Sequence, residues 1–131
     1  MEKPRIRVVV AEIEQDGQYL ITQRRPEAVL PLLWEFPGGR VAPGETDHEA
    51  LDRCMLVRLG VSIDIQGQTV EVEHAYADYV VILASYRVVL RGTPENRRVH
   101  DHRWVAPGDF GEYTFPDADQ QTIDQLLRAP L

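Results

Sequence analysis

The feature that most constrains the fold is a loop rich in proline and glycine that leads directly into a well-marked helix. The stretch Arg24–Glu45 holds four prolines and three glycines, so it must be mostly loop with short extended pieces. Thr46 and Glu49 then form a capping-box pattern, in which each side chain accepts from the other residue's backbone N–H. Apolar residues at helical spacing follow, up to Gly60, a residue that commonly ends a helix. The inward-facing residues of this helix are Ala50, Leu51, Met55 and Leu59.

Strand patterns flank this loop and helix on both sides. Arg5–Ile13 and Gln18–Gln23 are predicted strands joined at Asp16-Gly17, a typical hairpin turn. Beyond the helix, segments rich in Val, Ile and Tyr predict further strands. They are Val61–Glu73, Tyr76–Leu90 and Val99–Val105, followed by a turn at Pro107–Phe110 and a second helix at Asp117–Leu127. This order predicts one α/β domain over residues 1–131, a sandwich in which helices flank a mixed β-sheet.

Composition limits the partners that the chain can bind. A net charge of −7 disfavours duplex nucleic acid, because phosphate backbones are held by clustered lysine and arginine. A small phosphorylated ligand needs only a local basic pocket, and all but one of the 14 basic residues are arginine, whose forked guanidinium suits phosphate. No apolar run of roughly 18 residues and no apolar secretory segment behind Met1 is seen. With Cys54 as its single cysteine, we expect a cytoplasmic protein away from the membrane.

A longer motif covers the loop and the helix together. The segment from Trp34 to Glu45 reads Trp-Glu-Phe-Pro-Gly-Gly-Arg-Val-Ala-Pro-Gly-Glu. It resembles the entry to the Nudix box, most closely in the mutator-type and CTP-type nucleotide pyrophosphohydrolases. That box runs Gly, five residues, Glu, seven residues, then Arg-Glu-apolar-any-Glu-Glu-any-Gly-apolar. The matching residues are Gly39, Glu45, Arg53, Met55, Gly60 and Val61.

The likeness extends beyond the box to most of the chain. Leu20–Pro26 resembles the family's phosphate-side strand, and Arg103–Val105 and Phe115–Asp119 resemble its base-side segments. The resemblance therefore spans Arg5 to Leu127, and it implies a Nudix fold with a nucleotide or a nucleotide derivative as ligand.

The chain departs from the family where the metal ligands belong. The three positions at which the pattern requires glutamate carry Cys54, Val57 and Arg58. Their spacing of i, i+3 and i+4 puts them on one helix face, where the family's carboxylates hold Mg²⁺ or Mn²⁺ against the pyrophosphate. A thiol suits zinc rather than magnesium, valine offers no donor, and a guanidinium repels cations. We expect a degenerate box without metal ligands or an assigned catalytic residue, so that Mg²⁺ has a role only if acids elsewhere form a relocated site.

Some of the matching residues have structural interpretations. The resemblance implies that Glu45 and Arg53 tie the loop to the helix, while Gly60 ends the helix. For Gly38 and Gly39 two interpretations stand, because glycine permits close backbone approach and positive φ either for a ligand or for the turn itself.

Five residues are candidate nucleotide contacts. The family places a phosphate-binding arginine at Arg24 or Arg25, and since adjacent strand residues point to opposite sides, only one is expected to face the cleft. Arg58 either holds phosphate oxygens in place of the metal or merely relieves repulsion among crowded carboxylates. Phe36 and Asp119 either grip a base, by stacking and by edge hydrogen bonds, or serve as a core aromatic and a helix-start charge.

Three functions fit these residues. The main hypothesis is a degenerate Nudix domain that binds a nucleotide or nucleoside-diphosphate derivative as a sensor or regulatory module, without efficient Mg²⁺-dependent hydrolysis. The alternative is a weak or altered nucleoside-triphosphate pyrophosphohydrolase whose ligands come from Asp101, Glu71 or Glu73. The third is a protein-interaction scaffold that pairs with a second copy or with a partner protein. An open cleft lined by arginine favours ligand binding, whereas a cleft filled by side chains favours the scaffold.

Overall fold

The computed structural model describes residues 3–28 and 30–117. Within them the chain forms strands β1 (Arg5–Glu12), β2 (Glu14–Gln15), β3 (Gln18–Gln23), β4 (Trp34–Glu35) and β5 (Gly38–Arg40), helix α1 (Asp47–Leu59), strands β6 (Ile63–Ala75), β7 (Val80–Leu90) and β8 (Asp101–Val105), and a 3₁₀ turn (Pro107–Glu112). The second helix, predicted over Asp117–Leu127, falls outside the described residues apart from Asp117. No helix in the described part of the chain combines the length and the apolar character needed to cross a bilayer.

The strands form two sheets. In the first, ordered β5-β1-β7-β6, β1 and β7 run parallel and the other neighbours run antiparallel. In the second, β3 pairs with β2 and β4 along one edge and with β8 along the other, all antiparallel. The α/β class with a mixed sheet is confirmed, but the strands divide into two sheets instead of forming one. The second sheet includes the long-range pairing of β3 with β8, which the pattern within each strand does not reveal.

Two apolar clusters fill the space between these layers. One lies between the first sheet and α1, and it includes the fully buried Leu51, Met55 and Leu59. The other lies between the two sheets, where Phe36 and Trp34 pack with residues of both. Burial of one face of α1 in the first cluster fixes which residues of the helix remain open to solvent.

Both ends of α1 form as the residue pattern predicts. The Thr46 hydroxyl accepts from the Glu49 backbone N–H at 3.1 Å, and the Glu49 carboxylate accepts from the Thr46 N–H at 2.9 Å. At the other end Gly60 has a φ of 68°, a left-handed conformation that favours glycine. A Cβ on Gly60 would lie 2.5 Å from Nε of Arg97, so that exposed side chain would have to move to make room for it. These caps set the length and the rotation of the helix that carries the altered box positions.

Candidate functional site

The face of α1 that carries Cys54, Val57 and Arg58 lines an open cleft of about 410 Å³. The remaining lining residues come from α1 itself, from the loop after β3 and from the segment that precedes β8. The lining residues are Arg25, Glu27, Ala28, Arg53, Cys54, Val57, Arg58 and Arg98. We call this space the arginine cleft. The three altered positions therefore share one face, as their spacing predicts, and that face borders the open cleft, although Cys54 itself is buried.

The two glycines of β5 serve the approach of strand and helix. At Gly38 a Cβ would lie 1.9 Å from the carbonyl oxygen of Val9, so glycine is required there by the pairing of β5 with β1. At Gly39 a Cβ would lie 2.8 Å from Sγ of Cys54 and 3.2 Å from Nη2 of Arg58. The bare backbone of Gly39 thus lets α1 close against β5 beside the arginine cleft. For Gly38 the structural interpretation is sufficient, and for Gly39 a ligand role stays a proposal.

An ion pair joins the loop to the helix at the mouth of this site. Arg53 donates from Nε and Nη2 to the two carboxylate oxygens of Glu45 at 2.7 and 2.9 Å. Glu45 also accepts from the Ala42 N–H at 2.8 Å, and Arg53 donates to the carbonyl of Arg40 at 2.9 Å. The Arg53 guanidinium and the Ala42 N–H lower the pKa of Glu45 to about 2. These contacts are the tie between loop and helix that the resemblance implies.

This pair makes the stability of the fold depend on pH in a defined direction. Because the folded-state pKa of Glu45 lies below its ordinary value of 4.5, the ionised pair stabilises the fold at neutral pH and loses this contribution as the pH falls towards 2. We expect Glu45→Gln to lower the denaturant midpoint at pH 7 and to have little effect near pH 2. Chemical unfolding at both pH values checks this, with Glu112→Gln as a control, and a deficit that persists undiminished at pH 2 would contradict it.

Arg24 and Arg25 point to different surroundings. Arg25 lines the arginine cleft and forms an ion pair with Glu27. Arg24 instead lies 3.5 Å from the carboxylate of Glu35, a partly buried group. Burial raises the pKa of Glu35, and the charges of Arg24 and then Arg58 oppose that rise. Of the two adjacent arginines, Arg25 is the one that lines the cleft, and both lie just beyond the end of β3 at Gln23 and not on the strand itself.

Arg98 is a cleft residue that the sequence did not reveal. The backbone N–H groups of Arg97 and Arg98 both donate to the carbonyl of Arg58 at 3.0 Å, and that of Glu95 donates to the carbonyl of Leu59 at 2.8 Å. These bonds satisfy carbonyls that the end of α1 leaves open, and they bring Arg98 to the cleft beside Arg58. The sequence offers two signals, the adjacent arginines Arg97 and Arg98 and the unpaired carbonyls that any helix end leaves. Neither signal shows which segment of the chain binds the end of α1.

The candidate base contacts are Phe36 and Asp119. Phe36 is 0% exposed, and its ring packs edge-on against Phe110 and at a tilt against Phe115, each with centroids 5.7 Å apart. The expectation that Phe36 stacks on a base is therefore corrected, because its ring lies in the core between the sheets. Trp34 lies in the same buried cluster. Asp119 lies outside the described residues.

The acids proposed for a relocated metal site each have a cationic partner. Glu71 accepts from Arg7 at 3.0 Å, which lowers the pKa of Glu71, and Glu73 pairs with Arg5. Asp101 lies 3.4 Å from Arg103 and accepts from the His102 N–H. Nowhere in residues 3–28 and 30–117 do three His, Cys, Asp or Glu side chains gather as they would around a metal ion. The relocated site predicted from Asp101, Glu71 or Glu73 is thus not assembled in this structure.

The donors in the arginine cleft do not fit a magnesium ion either. Mg²⁺ is bound through carboxylates and phosphate oxygens, and the described residues that line the cleft include one carboxylate, Glu27, which is paired with Arg25. The buried thiol of Cys54 and the isopropyl group of Val57 supply no hard oxygen. The chemistry that this geometry supports is the direct binding of an anion by guanidinium groups.

Comparison with known proteins relates this architecture to a family. The family model described as NUDIX domain matches residues 8–125. The CTP pyrophosphohydrolase of Escherichia coli K12 is 30% identical over 126 residues, which cover 93% of this chain and 91% of the relative. A protein named putative 8-oxo-dGTP diphosphatase 2, from Mycobacterium tuberculosis, is 32% identical over 126 residues, covering 92% of this chain and 87% of the relative.

Solved structures give the same picture of the fold. The solution structure of the E. coli ORF135 protein superposes with a TM-score of 0.83 at 28% identity, covering 97% of this chain and 93% of that one. The crystal structure of the MutT protein from Methanosarcina mazei Go1 superposes with a TM-score of 0.86 at 22% identity, covering 98% and 96%. The second likeness bears on the fold alone.

Proposed function

The chain belongs to the Nudix family, and from that premise we propose that it binds a nucleotide or a nucleoside-diphosphate derivative without efficient Mg²⁺-dependent hydrolysis. The observation that carries this proposal is the arginine cleft. On the helix face where the family pattern requires three glutamates, the cleft presents a thiol, an isopropyl group and a guanidinium. Because such a protein releases its ligand without hydrolysing it, binding itself is the function, and the protein acts as a sensor or regulatory module.

The scaffold around the cleft supports a ligand-binding role. The tie between Glu45 and Arg53, the caps of α1 and the bare backbone at Gly39 all hold the loop and the helix in a defined geometry. The cleft is open, and four arginines are among the described residues that line it, which favours a bound anion over a scaffold whose cleft is filled by its own side chains. Anionic ligands suit such a pocket even in a protein with a net charge of −7, because the field near the site is set by the local charges.

Weak or altered hydrolysis is the second candidate, because the relatives named above carry the names of a pyrophosphohydrolase and a diphosphatase. It would need a ligand set other than the box helix. Asp101, Glu71 and Glu73 are each engaged by an arginine, so these acids would have to leave their partners to hold a metal. Release of phosphate or pyrophosphate that depends on Mg²⁺ separates the two candidates.

Thermal unfolding with nucleotides tests the main proposal. We expect at least one nucleoside diphosphate or nucleotide sugar, in a panel that covers the common bases, to raise Tm by several degrees in the presence of a chelator. A ligand at roughly 100 times its Kd stabilises the native state by about 2.7 kcal/mol. If no member of the panel shifts Tm at millimolar concentration, nucleotide binding is contradicted and the scaffold hypothesis takes its place.

A further inference from the structure

We propose that Arg58 and Arg98 together bind the pyrophosphoryl group of a nucleoside-diphosphate derivative directly, with no divalent cation. This inference rests on the proposed function and deepens it, because it names the chemical group that is recognised and the residues that recognise it.

The fold places the two arginines side by side. Arg58 lies in the last turn of α1, and the Arg98 N–H donates to the carbonyl of Arg58 at 3.0 Å. Both residues line the arginine cleft, together with Arg25 and Ala28 of the loop after β3. Because each guanidinium presents its donors as a planar fork, a pair of them can hold the oxygens of two linked phosphates.

The other charges of the cleft already have partners. Arg53 is held by Glu45, and Arg25 forms an ion pair with Glu27. Among residues 3–28 and 30–117, by contrast, neither Arg58 nor Arg98 is within ion-pair distance of a carboxylate. Glu35 acts on Arg58 from longer range while its own ion pair is with Arg24. The described part of the cleft thus holds a local excess of positive charge at this arginine pair.

This excess matches the charge of a pyrophosphate linkage. In a nucleotide sugar each of the two phosphates carries one negative charge, so a pair of guanidinium groups balances the linkage. A nucleoside triphosphate brings more charge and normally reaches a protein with Mg²⁺, which the arginine pair repels. The cleft therefore favours a diphosphate that carries no metal.

The C-terminal end of α1 would ordinarily disfavour the binding of an anion, because the last carbonyls of a helix form its negative pole. Here the carbonyls of Arg58 and Leu59 accept hydrogen bonds from the N–H groups of Arg98, Arg97 and Glu95. The segment that supplies Arg98 thus also covers part of the negative pole beneath the proposed site. One short stretch of chain contributes both a phosphate-binding side chain and the backbone donors that make an anion tolerable there.

Titration calorimetry of the whole chain in a chelator tests the inference. The probes are inorganic pyrophosphate, UDP and UDP-glucose, and the variants are Arg58→Ala, Arg98→Ala and Arg58→Lys. We expect Arg58→Ala and Arg98→Ala each to weaken pyrophosphate and diphosphate binding about tenfold or more, a change of about 1.4 kcal/mol. Arg58→Lys keeps the charge but loses the fork, so its affinity should lie between those of the natural chain and Arg58→Ala.

The control is Arg5→Ala, which removes the same charge at the start of β1, where Arg5 pairs with Glu73. It should change affinity by less than about twofold, since surface charges away from the site are largely screened. Circular dichroism and Tm of each variant confirm that it folds, and Arg98→Gln replaces Arg98→Ala should the latter fail to fold.

The outcomes separate failure of the inference about Arg58 and Arg98 from failure of the proposed nucleotide binding. If a diphosphate binds but neither arginine variant weakens it, or if binding appears only with Mg²⁺, the inference is overturned and nucleotide binding stands. If pyrophosphate binds through both arginines while none of the wider nucleotide panel binds, the proposed function falls and the nucleotide source of the pyrophosphoryl group falls with it.

Discussion

Replacing Cys54, Val57 and Arg58 together by glutamate is expected to give α1 a higher Mg²⁺ affinity than it has in the natural sequence. The three side chains line one cleft, and Gly39, Glu45, Arg53 and Gly60 still hold the loop and helix in place. Three carboxylates on that face supply the hard oxygen ligands that Mg²⁺ prefers. We expect calorimetry to show Mg²⁺ binding at least about tenfold tighter than in the natural chain, a difference of about 1.4 kcal/mol.

The matched control replaces the same three residues by glutamine, which removes the arginine and keeps the side-chain size without adding charge. Crowded carboxylates near the end of a helix repel one another and its negative pole, so the glutamate variant should have the lower Tm in a chelator. Added Mg²⁺ should then raise its Tm and leave the glutamine variant unchanged, because metal binding stabilises the native state. Equal responses of the two variants to Mg²⁺ would show that this face is not built to hold a metal.

Gly38→Ala is expected to destabilise the fold by at least about 3 kcal/mol, among the larger effects that a single substitution has. The added Cβ would stand 1.9 Å from the carbonyl oxygen of Val9 and 2.8 Å from Cα of Val10. Both are backbone atoms of β1, so no side-chain rotation relieves the clash, and β5 must separate from β1 at the pair Val10–Gly38. Equilibrium unfolding in denaturant measures the loss.

Gly108→Ala is the control for this substitution, because a Cβ at Gly108 would meet nothing within 4 Å. Its stability should stay within about 1 kcal/mol of the natural chain, since alanine also restricts the unfolded chain. Similar stabilities for the two variants would mean that β5 does not need to approach β1 so closely. The position of β5, which leads into the loop before α1, would then need another explanation.

Local chemistry accounts for the parts of the fold that the sequence predicts well. Thr46, Glu49 and Gly60 act through bonds and dihedral angles within a few residues of themselves, and both ends of α1 follow from them. Asp16 and Gly17 have positive φ values of 53° and 81°, as a tight hairpin turn demands. In each case the residue type and its immediate neighbours determine the geometry.

The parts that sequence reasoning missed depend on contacts between distant segments. Phe36 has the pattern of a base-stacking residue, yet its partners Phe110 and Phe115 turn it into the core. Arg98 enters the cleft because its segment binds the end of α1, about forty residues away along the chain. The second sheet includes the long-range pairing of β3 with β8. None of these contacts leaves a periodic signal in the chain.

The most direct test of the central claim is equilibrium dialysis of the protein against a panel of nucleoside diphosphates and nucleotide sugars. Parallel samples contain a chelator or Mg²⁺, and chromatography identifies the nucleotide on both sides of the membrane. We expect that the protein retains a nucleotide to the same extent in chelator and in Mg²⁺, and that the nucleotide is recovered intact after prolonged incubation with Mg²⁺. Cleavage of the nucleotide that requires Mg²⁺ and stops in the chelator would contradict this expectation and identify the chain as a working hydrolase.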